Sequence, residues 1–258
     1  MTLFLTREPL WISGLILVGL GTTLAMLGPL LIRRFVTLDK LAINNEVAGF
    51  KFATVGVLYA VLLGFSVIVV WQKFADADDT VDKEGGAAAA LYHLSRGIGG
   101  APGAALRGAL SGYLKSAVTE EWPAMGDGHE SGSTRQALEA IYTALLAANS
   151  GNQNIALMSE IFYQLDVLTQ ARSARLVAAE GAMPGVVSAI LVAGALATIA
   201  FTFFFGTRNL RAQVLMTGLL SILIFSELWV IVAIDRPFTG TVKVGPAALA
   251  DVLADFGH

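Results

Sequence analysis

Between Phe52 and Trp71 the chain carries no charged residue. At about 1.5 Å of rise per residue, a helix of that length covers roughly 30 Å, the hydrocarbon thickness of one bilayer. The stretch begins behind Asn44, Asn45 and Glu46 and ends on Trp71, Gln72 and Lys73. That end is an aromatic and basic anchor of the kind found at a membrane surface. At about 100° per residue, Gly49, Ala53, Gly56, Ala60 and Gly64 fall within about a quarter turn of one another. Such a small-residue face lets another helix backbone come close, the packing that holds helices together in lipid. The stretch predicts a spanning helix at the heart of a bundle.

Three more uncharged or nearly uncharged stretches accompany it. The first span runs from about Leu10 to Ile32, where Arg33 and Arg34 stop it. It exceeds the roughly 7–15-residue apolar core of a cleaved signal peptide, so it reads as a retained span. Gly28-Pro29 predicts a kink near its end. The third span, Gly185 to Phe205, opens behind Pro184, and the fourth, about Ala212 to Ile234, contains Glu227. The short links 33–45 and 206–211 make two hairpins. Composition agrees: 55% of residues are hydrophobic and only 14% charged, against about 25% charged in a soluble domain.

The interval from Ala75 to Met183 is alanine-rich and poor in β-branched residues, a composition that favours helix. Asp76 to Arg96 reads as a continuation of the second span, with Gly85-Gly86 as a weak point. Residues 97–103 break it. Ala104 to Trp122 is amphipathic, with Leu106, Leu110, Tyr113, Leu114 and Val118 at three- and four-residue steps. Pro123 to Ser133 reads as a turn, Thr134 to Asn149 as a third helix, and Gln153 to Ala179 as a fourth with a stripe of Leu157, Ile161, Leu165 and Leu168. The predicted class is an all-α polytopic membrane protein with four spans and a helical extramembrane domain between spans two and three. Its divisions are a hairpin (1–74), the helical domain (75–183), a second hairpin (184–235) and a short tail (236–258).

Arg33, Arg34, Lys40, Lys51, Arg208 and Arg211 lie on the side of the two short turns, and Arg7, Arg236 and Lys243 on the other. The positive-inside rule puts the turns in the cytoplasm, and the helical domain and both termini outside. Lys73, Arg172 and Arg175 flank the domain and count against this. The net charge of −3 gives no reason to expect nucleic acid. With no cysteine there is no disulfide, thiolate metal site or cysteine nucleophile.

Four segments stand in order: Asn45-Glu46-Val47-Ala48-Gly49-Phe50, Tyr59-Ala60-Val61-Leu62-Leu63-Gly64-Phe65, Glu120-Glu121-Trp122-Pro123 and Asp235-Arg236-Pro237-Phe238-Thr239-Gly240. Together they resemble the bacterial bestrophin-like membrane family, over nearly the whole chain. The resemblance implies kinship with bestrophins, pentameric anion channels with four spans, a helical domain between spans two and three, and a pore lined by the second span. Two features depart from that pattern. The tail offers only Asp235, Asp251 and Asp255, so no bestrophin calcium clasp carries over, and bestrophins hold their helical domain in the cytoplasm.

Several residues are candidates for an ion pathway. Glu227 is the one carboxylate deep in a span; a mid-bilayer charge costs roughly 2.5–3.5 kcal/mol, so it should face the bundle or water. It reads either as an ion-path residue or as a protonated carboxyl bonded near Ser188 or Thr198. Asn44, Asn45 and Glu46 read as an N-cap or as a polar ring at a pore mouth. Lys51 snorkels to the interface or attracts anions. Tyr59 and Ser66 border the small face, and Tyr59 either bonds across the bundle or shapes a constriction. Asp235, Arg236, Pro237 and Phe238 read as a structural clamp, as does Trp122 at a helix end.

Asp76, Asp78, Asp79, Asp82 and Glu84 fail the calcium-loop spacing and read as a solvated helix face. His93, His129 and His258 are scattered outside the spans. No metal spacing, cofactor motif or nucleophile–base constellation is present, so the sequence points away from an enzyme.

Two functions fit. One is a homo-oligomeric ion channel with the second span nearest the pore, passing inorganic ions. The other is a non-conducting scaffold or sensor that binds a partner through the helical domain. Glycine and alanine facing the axis would favour a sealed contact and hence the second. A secondary transporter would need internal repeats or mid-membrane breaks, which the sequence lacks.

Overall fold

The computed structural model describes residues 9–43, 45–149 and 154–256. Arg7, Asn44, Gln153 and His258 lie outside these. The described chain is helical, with no strand among its residues. In chain order the helices are α1 (Leu10–Phe35), α2 (Leu38–Ala42), α3 (Asn45–Ser95), α4 (Gly100–Ser116, continued through Ala117–Glu121 to Trp122–Gly126), α5 (Gly132–Asn149), α6 (Ile155–Ala179), α7 (Gly185–Thr202), α8 (Leu210–Ile234) and α9 (Ala247–Asp255). Four of them, α1, α3, α7 and α8, are long and apolar enough to cross a membrane.

The chain divides into two compact units. One takes Met1–Gln72 and Ala182–Asp235, and the other Lys73–Gly181 and Arg236–His258.

The first unit is the spanning bundle. Its helices meet where glycine allows close approach. A Cβ added at Gly28 would lie 2.2 Å from the Phe203 ring, one at Gly21 2.9 Å from Phe225, and one at Gly194 2.6 Å from Tyr59. Pro29 does not break α1, which runs unbroken from Gly21 to Phe35. The departure from α geometry falls earlier instead, in a π-helical turn at Leu15–Leu20. Gly28 serves as the seat of an aromatic ring. At the short-turn end, Asn45 grips Gly206 twice: its Nδ2 donates to the Gly206 carbonyl at 2.7 Å and its Oδ1 accepts the Gly206 N–H at 2.8 Å. Arg33 donates to the Thr207 carbonyl and to Gln213 Oε1.

The second unit has a core of soluble type. Leu106, Leu110, Tyr113 and Leu114 of α4, Ile141 and Leu145 of α5, and Ile161, Leu165 and Leu168 of α6 are buried together, with Leu91 of α3. Val118 and Leu157, at the margins of the predicted stripes, are half-buried. Asn154 caps α6 by accepting from the Ala156 N–H at 3.0 Å. The tail after Asp235 joins this core through Phe238, Val244 and Leu249. Phe256 stacks on Tyr92 at 3.8 Å, and the Tyr92 hydroxyl donates to the Phe256 carbonyl.

Gly85-Gly86 is no weak point, since α3 passes through it unbroken. Gly85 is a contact: a Cβ there would meet the Ala248 carbonyl oxygen at 3.2 Å. The segment predicted as a turn from Pro123 is helical as far as Gly126.

Gly28→Val forces the Phe203 ring aside and should cost about 1–3 kcal/mol, the usual penalty of overpacking. We expect a lower melting temperature in detergent, partly restored by a second change, Phe203→Ala. A melting point equal to the parent's would mean that the two spans separate freely at this seam.

Candidate functional site

The second span buries only a narrow edge. Tyr59, Leu63, Ser66 and Val70 are buried, at three- and four-residue steps. The Tyr59 hydroxyl donates to the Leu191 carbonyl of α7 at 3.0 Å, and Ser66 donates back to Leu62 within its own helix at 2.8 Å. Both polar side chains therefore turn inward, toward their own chain.

The small face lies about a quarter turn from that edge by the 100° step. Ala53, Ala60 and Gly64 are exposed. A Cβ at Gly56 or Gly64 would meet nothing within 4 Å, and one at Gly49 only the Phe205 ring at 3.9 Å. These small residues make no seam within the chain. About half a turn from the buried edge stand Phe50, Val57, Val61, Phe65 and Ile68, all exposed. The remaining flank carries Leu58, Leu62 and Val69, also exposed. Glu46 and Lys51 are exposed near the helix start.

Glu227 is exposed on α8, at an open cavity of about 350 Å³ that it shares with Gly64, Val67, Ser226 and Val230. Neither Ser188 nor Thr198 shares that cavity. Thr198 is buried with its hydroxyl unpartnered among the described residues, and Ser188 lines a different cavity. Asn45 holds a backbone turn instead of capping a helix, and Asn44 is outside the described residues. Within the spanning unit, Asp235 accepts the Met183 N–H at 3.0 Å, closing the entry to α7 onto the end of α8. Within the helical unit, Phe238 is buried edge-on to Trp122 at 5.8 Å, and Pro237 accepts the Val244 N–H.

The helical unit holds a charge cluster that the residue pattern does not announce. Glu84, Glu121 and Arg175 have fully buried side chains, and that of Arg172 is 8% exposed. Arg175 reaches Glu84 with Nε at 2.6 Å and Nη2 at 2.9 Å, and Glu121 at 2.7 Å. Arg172 binds Glu121 through Nε at 3.2 Å and Nη2 at 2.5 Å, and Glu130 at 3.0 Å. The Tyr113 hydroxyl donates to Glu84 at 2.5 Å, and the Trp122 ring covers the Arg175 guanidinium at 4.6 Å. Burial, then the neighbouring Glu84 carboxylate, push the Tyr113 hydroxyl well above its ordinary pKa. Burial alone would lower Arg175, but Glu84, Tyr113 and Glu121 more than offset it and hold the guanidinium charged.

Glu84 thus leaves the solvated acidic face assigned to it, while Asp76, Asp78, Asp79 and Asp82 remain exposed. Arg172 and Arg175 are core ion-pair partners rather than loose flanking charges. The sequence held one signal of this: Arg172 falls at a four-residue step from Leu168, and Arg175 at a seven-residue step, on the apolar stripe of α6. Among the described residues no cluster of three metal-ligating side chains occurs.

Four apolar helices, with a helical domain inserted between the second and third in the sequence, define a polytopic all-α membrane protein. The chain belongs to the bestrophin-like family: the model of the Bestrophin-like domain matches residues 20–249. The fold is shared with solved structures. A point variant of a bacterial bestrophin homologue from Klebsiella pneumoniae superposes with a TM-score of 0.72 at 16% identity, over 93% of this chain and 99% of the other. The structure of the Klebsiella homologue phased on zinc gives 0.68 at 16%, over 92% and 96%. A point variant described only as a membrane protein gives 0.71 at 17%, over 91% and 96%. Among curated proteins none matches the sequence.

Arg175→Met leaves Glu84 and Glu121 buried without their shared counter-ion. It should cost about 3–5 kcal/mol, the penalty of a broken buried pair, seen as a large drop in melting temperature. A loss below about 1 kcal/mol would show that water reaches the carboxylates.

Proposed function

We propose that the chain is one subunit of a homo-oligomeric channel for inorganic ions, with the second span nearest the axis. The observation that carries this reading is the unequal pair of uncovered flanks on that span. One is small (Gly49, Ala53, Gly56, Ala60, Gly64) and the other bulky (Leu58, Leu62, Val69), about half a turn apart. The small flank of one copy accepts the bulky flank of the next. Such a head-to-tail contact between unlike surfaces closes into a ring when its rotation allows. The buried edge then points outward to the rest of its own subunit. The row Val57, Val61, Phe65 and Ile68 faces the axis as a hydrophobic constriction, a form of gate that works by dewetting. The small residues sit at the flank in this arrangement, so they do not seal the axis.

Glu227 supports the same reading. An uncovered carboxylate in a span is costly against lipid, so this face meets water or another copy in the assembly. The family's kinship with bestrophins adds channel function at the level of fold and descent. A non-conducting scaffold that binds a partner through the helical unit is the second reading, and the wholly apolar axial row is what favours it. We place the protein in a bacterial inner membrane, short turns inside, on the six Lys and Arg residues at that end.

Reconstituted in liposomes, the protein should pass chloride, sodium or potassium. Val61→Ser should raise that flux several-fold by wetting the constriction, and Glu227→Gln should change it if the carboxylate lies on the path. Gly56→Leu should abolish the ring on native gels. No flux from the parent or from Val61→Ser, with Gly56→Leu still assembled, would move the function to the scaffold.

Sidedness can be read directly because the native chain lacks cysteine. Ser173→Cys, on the exposed face of α6, should react in intact cells with a maleimide that cannot cross the inner membrane. Labelling only after lysis would invert the topology.

A further inference from the structure

A second cavity, of about 440 Å³, lies in the spanning unit between α1, α7 and α8. Its wall includes Leu17, Ala193, Leu196, Leu228 and Ile231, and Ser188 sits toward one end with Met183 and Asp235. Two local features leave the space open. Ala189 and Ala193, one helical turn apart on α7, present only methyl groups to it. Leu17 belongs to the π-helical turn of α1, where the backbone departs from regular α packing.

We propose that this cavity holds one acyl chain of a membrane phospholipid. The volume lies within the range of ordinary ligand pockets, about 300–1,000 Å³. The wall is apolar apart from its Ser188–Asp235 end, and that end lies where α7 begins and α8 finishes, at the membrane boundary. From Ser188 to Leu196 the wall runs about 12 Å along the helix, most of the roughly 15 Å hydrocarbon depth of one leaflet. The cavity wall therefore runs along most of the depth of a single leaflet, with its polar groups at the headgroup level.

An apolar void does not take up water, and the solvent around this one is acyl chain. Val192 and Leu196 on its wall are exposed, so the way in from the bilayer is open. No residue of the second span lines it, so the flanks assigned above to neighbouring copies leave it free. The proposal needs only the membrane location and holds whether or not the protein conducts.

The test uses the full chain in vesicles containing phosphatidylethanolamine with a diazirine on one acyl chain. After irradiation, adducts are mapped by mass spectrometry. They should be several-fold enriched on residues 188–196 and 228–232 over Leu215, Leu219 and Leu223, which are the more exposed to the bilayer on α8. Ala193→Trp fills the space and should remove that enrichment while labelling of Leu215–Leu223 persists. Ala189→Phe does the same from the next turn, should the first variant fold poorly. Equal labelling of both regions, or enrichment that survives both substitutions, overturns the proposal.

Discussion

Lipid supplies no hydrogen bonds, and the spanning unit is built around that fact. Many of its polar side chains find partners inside the chain, the buried hydroxyls of Thr22 and Thr198 excepted among the described residues. Tyr59 bonds the Leu191 carbonyl, Trp229 donates to Ser13 Oγ at 3.1 Å, and Thr202 pairs with Thr217 at 3.2 Å. Gln213 donates to the Thr202 carbonyl at 3.4 Å, where α7 ends and its last carbonyls lose their helical partners, and to the Phe205 carbonyl of the following turn at 2.7 Å. Asn45 and Arg33 do the same for the turn at 206–207. Against this background Glu227 stands apart, an exposed carboxylate at the open cavity it shares with Gly64 and Val67 of the second span. A carboxylate at that depth is costly against acyl chains.

The helical unit solves a different problem. Water surrounds it, so an apolar core suffices for collapse, and the Glu84–Arg175–Glu121–Arg172 cluster adds little net stability for its size. What the cluster adds is registry. Each carboxylate comes from a different helix, α3 or α4, and both arginines come from α6. A slip of one helix by a single turn would strand a charge in the core. Trp122 then seals Arg175 on one side while its indole donates to the Val244 carbonyl, so the tail is tied into the same arrangement.

Much of this was legible in the residues. Four stretches with at most one charge each gave four spans because length and charge are strong signals in a bilayer. The stripes of α4 and α6 gave the core of the helical unit through simple periodicity. The charge cluster was hidden because charged residues read as surface by default. Glu84 shares its stretch with four exposed aspartates, and only its seven-residue steps to Ala77 and Leu91, on the side away from them, distinguish it. Tyr59 and Ser66 sit near the small face in a helical projection, yet their inward direction depends on where α7 packs, which no local pattern encodes. The role of Gly28 was hidden for the same reason, since its partner Phe203 is far away in the sequence.

In the proposed ring, the unequal flanks of the second span would carry a consequence for mixed assemblies. In a ring of unlike contacts each subunit is both donor and acceptor. A copy spoiled on its small flank alone still offers an intact bulky flank to a normal neighbour. It would join a growing arc and stop it there, acting as a chain terminator rather than a bystander. Damage at one glycine would then be felt by every normal copy caught in the same arc, and its effect would rise more steeply than its share of the population.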